Sequence, residues 1–282
     1  MRWQMSRQSS NIEDRRGMNV PRAGGIGCLG LVVVLVISYL TGSNPLELLQ
    51  QMGTDTSVPT QERSAAPADN DEGRQFVAAV LGSTEDEWTQ IFAASGRQYQ
   101  PPRLVLFENA VSSACGFNSA AVGPFYCPSD QKVYLDLSFF QQLSQRFGAS
   151  GDFARAYVIA HEVGHHVQNL LGISDQIDGA RRRASEREAN ALSVLQELQA
   201  DCFAGVWGHH ADRKDLLDAG DVEEGLNAAQ AIGDDLIQKR SQGYVNRDSF
   251  THGTSEQRAY WLRRGLETGR VDACNTLESG AQ

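Results

Sequence analysis

The sequence is short of positive charge, and it contains neither an internal repeat nor a pair of cysteines in CxxC spacing. With 25 Lys plus Arg against 35 Asp plus Glu, its formal charge is -10, which argues against a protein that binds nucleic acid mainly through phosphate contacts. The missing CxxC pairs argue against a cysteine-bound zinc or redox site. Hydrophobic residues at 41% and charged residues at 21% instead indicate a globular protein and exclude wholesale disorder, collagen and a many-pass membrane protein.

Charged side chains are also missing from Ala23 to Leu46, a run centred on the apolar stretch LVVVLVISYL. About 20 mostly apolar residues suffice for a helix that crosses a bilayer. The run lacks the polar stripe of a core helix, and its end, YLTGSN, lacks the small-x-small pattern of a signal-peptidase site. We therefore predict a transmembrane signal anchor over residues 23–42. Five arginines precede it, so we expect residues 1–22 to be cytoplasmic and the rest of the chain to lie across the cell membrane.

The other notable feature of the composition is four cysteines beyond this segment, Cys115, Cys127, Cys202 and Cys274. An even number in an exported chain is typical of disulfides, and four cysteines allow three connectivities. The glycines and the proline in CGFNSAAVGPFYC would let the first loop close, which favours pairing Cys115 with Cys127 and then Cys202 with Cys274. The alternative is four reduced thiols in a cytosolic domain.

Residues 43–72 are polar, contain prolines and show no apolar periodicity, so we expect a flexible linker. Beyond it, helical periodicity marks RQFVAAVLGSTEDEWTQIFAASG, FARAYVIAHEVGHHVQNLLG, SEREANALSVLQELQADCFAGVWG, DVEEGLNAAQAIGDDLIQKR and, after a turn, the end of SFTHGTSEQRAYWLRRGLETG. Short strands are expected in RLVLFENAV and KVYLDLSFF. The pattern predicts a helix-dominated α+β domain over residues 73–282, with a small β-sheet and one hydrophobic core.

The helix predicted around residues 153–171 carries the sequence His161-Glu162-Val163-Gly164-His165, an HExxH pattern. Residues four apart on a helix lie almost above one another, so both imidazoles can reach one metal ion. Glu162 lies about 100° round the helix and can touch a water molecule without ligating that ion. A carboxylate in so apolar a helix is costly unless it has a function. Zn²⁺ is the natural occupant of such a site.

A catalytic zinc site needs a third protein ligand and one open position. The metzincin pattern HExxHxxGxxH is excluded, because Gln168 and Leu171 occupy its later positions. The next predicted helix offers Glu197 and Asp201, which share one face at i and i+4. We predict that Glu197 is the third ligand and that Asp201 accepts the second N–H of a ligating histidine. The alternative is that both are surface carboxylates of an amphipathic helix.

The order HEVGHH then ELQAD resembles the gluzincin pattern of HExxH followed by ExxxD. The wider chain resembles the YpfJ-like family of neutral zinc metallopeptidases. The stretches that carry the resemblance are GPFYCPSDQKVYLDLSFF, YVIAHEVGHHVQNLLG, ELQADCFAGVWGHH, LNAAQAIGDD, SFTHGTSEQR and the N-terminal MRWQ with EDRR. The resemblance implies a zincin-like fold and a zinc peptidase that acts on peptides or proteins, and it leaves the substrate unidentified.

Membrane gluzincins suggest one more residue, a histidine in a late segment that is followed by an arginine. Thr251-His252-Gly253 with Arg258 resembles that segment, with glycine in place of proline, and implies that His252 stabilises the transition state. The alternative is a surface histidine in a turn. The resemblance also suggests that KVYLDLS is an edge strand that pairs with extended substrate. Together these expectations describe a membrane-anchored zinc metalloendopeptidase in which Glu162 is the general base for a zinc-activated water.

Two alternatives to this function stay open at the level of sequence. One is a catalytically silent zinc-binding interaction domain at the membrane, which a fourth ligand among His166, His209 and His210 would favour. The other is a cytosolic enzyme, which reduced cysteines would favour. The preferred location is the inner membrane, crossed once, with the catalytic domain periplasmic or otherwise extracytoplasmic. The sequence predicts no oligomeric state.

Overall fold

The computed structural model describes residues 1–18 and 71–279, and within it residues 1–16 and 71–279 belong to one compact unit. The predicted anchor over residues 23–42 lies outside the described residues, as do residues 43–70 of the predicted linker. None of the helices in the described part of the chain is long and apolar enough to cross a bilayer.

The described residues form six β-strands and nine α-helices, joined by loops and short 3₁₀ turns. The strands are β1 (Ile12–Asp14), β2 (Arg103–Phe107), β3 (Ala110–Ser113), β4 (Gly116–Ser119), β5 (Phe125–Cys127) and β6 (Lys132–Asp136). The helices are α1 (Glu72–Ala94), α2 (Ser138–Gln145), α3 (Asp152–Leu170), α4 (Ile173–Arg181), α5 (Glu186–Arg213), α6 (Asp221–Ala231), α7 (Asp234–Gln242), α8 (Ser255–Thr268) and α9 (Thr276–Ser279). The predicted helix-dominated α+β class is confirmed.

The main sheet has four strands in the order β1-β2-β6-β5, and β3 with β4 forms a separate hairpin. The first three strands are parallel, whereas β5 runs antiparallel to β6. Side chains of β2 alternate between two apolar clusters: Leu104 and Leu106 join the main core beneath the helices, while Val105 and Phe107 face a smaller cluster on the other side. The strand KVYLD, expected at an edge, lies inside the sheet, and the edge strands are β1 and β5.

The long helix α5 packs against both α3 and α8 and forms the centre of the helical layer. Its contact with α8 depends on two glycines: a Cβ on Gly205 would lie 2.2 Å from the carbonyl oxygen of Leu262, and one on Gly265 would lie 2.0 Å from that of Cys202. Both predicted disulfides are present, and the one between Cys202 and Cys274 fastens α5 to the chain beyond α8.

The helix predicted over DVEEGLNAAQAIGDDLIQKR is interrupted, and α6 ends at Ala231 before α7 begins at Asp234. The interruption lies at Gly233, where a Cβ would come within 2.3 Å of the backbone nitrogen of Ser255. At this break the Asp234 carboxylate accepts hydrogen bonds from the backbone N–H groups of Thr251 and His252, at 2.8 and 2.7 Å. The break therefore fixes the turn that carries His252.

The N-terminal residues are part of the folded unit, in contrast to the separate segment that we expected over residues 1–22. β1 pairs in parallel with β2 and extends the main sheet by one strand. Trp3 is buried and packs edge-on against Phe76, with ring centroids 5.6 Å apart. The buried Glu85 carboxylate accepts hydrogen bonds from Ser9 and Asn11, at 2.6 and 2.8 Å.

The two ends that flank residues 17–70 lie side by side. Arg16 is paired with Asp14, on β1, and with Asp71, which caps the start of α1, each at 2.5 Å. β1 and β2 therefore pair in one sheet although residues 17–70 lie between them in sequence.

Removing the buried side chain of Trp3 tests whether this N-terminal segment belongs to the fold. We expect W3A to lower the free energy of unfolding by about 3 kcal/mol, because it removes a large aromatic ring from a packed core. Met5 belongs to the same 3₁₀ turn but is 66% exposed, so M5A is a matched control with an expected change below about 0.5 kcal/mol. Urea unfolding of the full chain, followed by circular dichroism, measures both. Equal stability of W3A and M5A would contradict the packing described here.

Candidate active site

The HExxH residues of α3 lie close to α5 because the backbones of these two helices are in contact at Gly164, which has no side chain. A Cβ on Gly164 would lie 2.9 Å from the carbonyl oxygen of Ala200 on α5. This contact brings the helical face that carries His161 and His165 next to the face that carries Glu197 and Asp201. Sequence spacing predicts the face of α3 and the face of α5 separately. Gly164, inside the HExxH motif, lets the two helices come close enough for these faces to meet.

His161, His165 and Glu197 converge on one point. The Nε2 atom of His161 lies 3.1 Å from one Glu197 carboxylate oxygen, and the Nε2 atom of His165 lies 3.4 Å from the other. One potential ligand atom from each of the three residues lies within 4.8 Å of the other two. Such a cluster can hold a single metal ion.

Hydrogen bonds at the other ring nitrogens determine what this cluster can bind. The Nδ1 of His161 faces an Asp201 oxygen at 2.8 Å, and the Nδ1 of His165 faces the side-chain oxygen of Gln168 at 2.9 Å. The Gln168 amide is oriented by its own NH₂ group, which donates to the carbonyl oxygen of Gln196 at 2.7 Å. Since both Nδ1 atoms donate, each Nε2 faces a Glu197 oxygen, and either a proton or a metal ion between the two atoms makes that contact favourable. Zn²⁺, which prefers neutral imidazole and carboxylate ligands, fits this donor set.

The carboxylates around His161 also change the pKa of its ring. Burial favours the neutral ring, but the carboxylates of Asp201 and Glu197 outweigh it and raise the pKa of His161 to about 10. Positive charge at this point is therefore strongly stabilised. A metal ion that binds here replaces a proton, which makes binding depend on pH.

Asp201 is fully buried and is shared by three other side chains. Besides His161, it accepts a hydrogen bond from the Tyr157 hydroxyl at 2.6 Å and two from the Arg258 guanidinium, at 2.9 and 3.0 Å. Although burial opposes ionisation, Arg258 and His161 lower the pKa of Asp201 to about 2. The carboxylate therefore stays charged and fixes the His161 ring.

Sequence reasoning missed the positioning role of Tyr157 and Arg258. A signal for Tyr157 is its place four residues before His161, on the same face of α3. Arg258 was noticed only through the resemblance of its segment, and nothing in the local sequence indicates that it reaches Asp201, 57 positions away.

Glu162 lies beside the metal cluster and faces a cleft of about 880 Å³. It is 7% exposed, and its carboxylate makes no hydrogen bond with residues 1–18 or 71–279. Burial raises the pKa of its carboxyl group, although the neighbouring His161 opposes the shift. A carboxylate in this position is a stronger base than one in water, and it is free to contact a molecule that enters the cleft.

His252 lines the same cleft and is half exposed. Its Nδ1 lies 3.2 Å from an Asp234 oxygen, so the Asp234 carboxylate orients the ring and leaves Nε2 available to a bound molecule. The structure thus brings His252 to the site, and the break between α6 and α7 is what holds it there.

The other histidines lie away from the cluster. His166 contacts the Tyr126 hydroxyl and the carbonyl oxygen of Gln100, while His209 and His210 contact carbonyl oxygens near the end of α8. In the described part of the chain, the only group of three or more His, Cys, Asp or Glu residues that could hold a metal ion is His161 with His165 and Glu197. A site with three protein ligands keeps a coordination position open, as catalytic zinc sites do.

Comparison with known proteins agrees with this geometry. The family described as "Putative neutral zinc metallopeptidase" matches residues 1–277, nearly the whole chain. The chain belongs to this family. It is thus a zinc metallopeptidase by family, with Zn²⁺ as the cofactor. The resemblance noted in the sequence is confirmed.

The names of the following relatives do not state an activity. The chain is 47% identical to "Uncharacterized protein YpfJ" of Escherichia coli strain K12, covering 98% of this chain and 99% of that protein. It is 37% identical to "Uncharacterized protein Mb2605" of Mycobacterium bovis and to "Uncharacterized protein Rv2575" of Mycobacterium tuberculosis, covering 86% of this chain and 85% of each relative. No solved structure matches the chain. The N-terminal 16 residues lie inside the family match, consistent with their place in the fold.

Replacing Asp201 by asparagine tests the network around the ligand. We expect D201N to weaken Zn²⁺ binding by about 10- to 100-fold, because the His161 ring loses the carboxylate that orients it. It also leaves Arg258 buried without its counter-charge, so the free energy of unfolding should fall by about 3 kcal/mol. Competition with a chromophoric chelator measures the affinity, and urea unfolding measures the stability.

The matched control is D178N, which removes a carboxylate that lines the same cleft and is paired with Arg181, 3.6 Å away. We expect its Zn²⁺ affinity to stay within about two-fold of the wild type, since surface ion pairs contribute little. Unchanged Zn²⁺ affinity in D201N would refute the positioning role of Asp201.

Proposed function

We propose that this protein is a zinc metalloendopeptidase in which His161, His165 and Glu197 hold the metal and Glu162 is the general base. One observation carries the proposal: a buried carboxylate without a hydrogen bond lies beside a three-ligand cluster and faces a cleft. A purely structural zinc site has no need for such a base, because its coordination shell is closed by protein ligands.

When bound, Zn²⁺ supplies a Lewis acid that lowers the pKa of water and polarises a peptide carbonyl. Glu162 takes a proton from the attacking water as the carbon–oxygen bond forms, and it delivers that proton to the amide nitrogen as the carbon–nitrogen bond breaks. Asp201 holds His161 in one orientation and tautomer throughout. His252, whose ring Asp234 orients through Nδ1, is placed to stabilise the developing oxyanion through Nε2.

The edge strand β5 is our candidate for the strand that aligns the substrate. Phe125 and Tyr126 of β5 line the cleft, and among residues 1–18 and 71–279 only β6 pairs with this strand. An extended peptide can pair with the other edge through backbone hydrogen bonds, which gives affinity with little dependence on sequence. A substrate chain aligned in this way can continue in both directions, which favours cleavage inside a chain over removal of terminal residues.

Cleavage of an unstructured protein by the zinc-loaded full chain tests the proposal. We expect the wild type to cut casein into internal fragments, identified by mass spectrometry, and E162Q to lose at least about 1,000-fold in rate while it keeps one Zn²⁺ per chain. H252A should lower kcat by about 10- to 100-fold with a smaller change in KM, since it acts on the transition state. Metal content is measured by atomic emission.

The matched control for H252A is H210Q, which changes a histidine away from the cleft and should leave both constants within two-fold. Zinc in both the wild type and E162Q without cleavage by either would instead favour the silent zinc-binding interaction domain. Cleavage by E162Q at the wild-type rate would eliminate Glu162 as the base. Release of single residues from one end would replace the endopeptidase by an exopeptidase.

We also propose that the apolar run from Ala23 to Leu46 attaches the protein to the cell membrane, with the catalytic unit on the extracytoplasmic side. The absence of charge in this run supports the attachment. The two disulfides support an oxidising compartment. Since residues 1–16 pack with residues 71–279, we place the N-terminal segment on that same side, in place of the cytoplasmic position expected from its arginines.

Thiol labelling in spheroplasts tests this topology. In a C28S background, M18C and Y244C each add one cysteine at an exposed position, 65% and 64% accessible respectively. We expect a membrane-impermeant maleimide to label both before lysis. Labelling of Y244C before lysis and of M18C only afterwards would restore the cytoplasmic N-terminus, and labelling of both only after lysis would favour the cytosolic alternative.

A further inference from the structure

The rim of the cleft differs in charge from the protein as a whole. The chain has a formal charge of -10, yet Arg146, Arg181 and Arg240 all line the cleft. They come from three separate elements, the turn after α2, the end of α4 and the end of α7. The fold therefore gathers positive charge around the site from distant parts of an acidic sequence.

These arginines are only weakly neutralised. Arg181 has one carboxylate partner, Asp178, at 3.6 Å. Arg146 lies over the Phe147 ring, 5.8 Å from its centroid. Arg240 forms no salt bridge with any residue of the described chain. A fourth lining arginine, Arg258, differs from all three, because it is buried and fully committed to Asp201.

The charges that oppose them lie at the metal site. Apart from Asp178, the acidic side chains that line the cleft are Glu162 and Glu197. Bound Zn²⁺ balances those two carboxylates, so the rest of the cleft keeps a net positive charge. Positive walls in a partly enclosed space concentrate anionic groups and repel cationic ones.

Much of the remaining lining of the cleft is apolar. It includes the segment from Ala121 to Tyr126 together with Phe139 and Phe147, and Arg146 lies over the Phe147 ring. An extended peptide in the cleft can therefore contact apolar surface and guanidinium groups together. Guanidinium groups are well suited to carboxylates because they donate parallel hydrogen bonds.

We propose that the substrates of this site are acidic peptide segments, recognised through carboxylates that pair with Arg146, Arg181 and Arg240. This inference rests on the proposed peptidase function and adds the substrate class to it. The recognised carboxylates are those of Asp or Glu side chains, or the C-terminal carboxylate of the peptide.

Binding to the inactive variant E162Q tests the inference without any need for cleavage. The probes are fluorescein-labelled peptides of identical apolar sequence with three Glu, three Gln or three Lys residues, each with a free and with an amidated C-terminus. Fluorescence anisotropy of the zinc-loaded full chain gives Kd. We expect the Glu peptide to bind about ten-fold more tightly than the Gln peptide and the Lys peptide to bind most weakly, with the difference shrinking as salt rises.

A matched pair of substitutions locates the effect. R240Q removes a cleft-lining charge near the end of α7, and K239Q removes the neighbouring charge on the same helical turn, outside the cleft lining. In the E162Q background, R240Q should weaken the Glu peptide about three- to five-fold and leave the Gln peptide unchanged. K239Q should change neither by as much as two-fold. Circular dichroism confirms that both variants fold.

Equal binding of the Glu and Gln peptides, together with no difference between free and amidated C-termini, would overturn the inference, as would equal effects of R240Q and K239Q. A preference for the free over the amidated C-terminus in every peptide would support carboxylate recognition and assign it to the C-terminus. Selective binding of the Glu peptide by E162Q, combined with no hydrolysis by the wild type, would count against the peptidase function and leave acidic-peptide recognition standing.

Discussion

The buried carboxylate of Asp201 joins three helices at one point. It accepts hydrogen bonds from Tyr157 and His161 on α3 and from Arg258 on α8, while it belongs to α5 itself. A buried charge is costly unless it is hydrogen-bonded, and here both carboxylate oxygens have partners. The same contacts that make the ion pair tolerable also set the orientation of a metal-ligating ring. Stability of the helical layer and geometry of the zinc site therefore depend on a single group.

The sheet imposes a second constraint, on the path of the chain. β1 comes from the N-terminus and pairs with β2, although residues 17–70 separate the two parts of the unit in sequence. The salt bridge between Arg16 and Asp71 brings the flanks of that stretch together. Because Arg16 and Asp71 lie next to each other, an apolar run between them can attach the domain to a membrane while β1 and β2 stay paired. Edge strand β5 lies at the other side of the sheet, where it borders the cleft.

The residues proposed for catalysis and those proposed for substrate recognition differ in their exposure to solvent. The proposed metal ligands and Glu162 are mostly buried, and charges interact strongly there. The arginines of the rim are exposed, so each contributes little by itself and acts by summed charge. Under the proposed function, such an arrangement lets one mechanism cut many sequences while overall charge selects among them.

The sequence by itself determined the helix-dominated class and the zinc-binding pattern, because helical periodicity and the spacing of His161, Glu162 and His165 are local properties. It also favoured the observed disulfides among three possible connectivities. Single-sequence patterns also indicated Glu197, four residues before Asp201 on one face. Only the tertiary structure decided that Arg258 reaches Asp201, that α6 and α7 separate at Gly233, that β5 is an edge strand and that the N-terminus joins the sheet. Those features depend on contacts between residues far apart in the chain, and no local pattern encodes which distant partner a side chain or strand will meet.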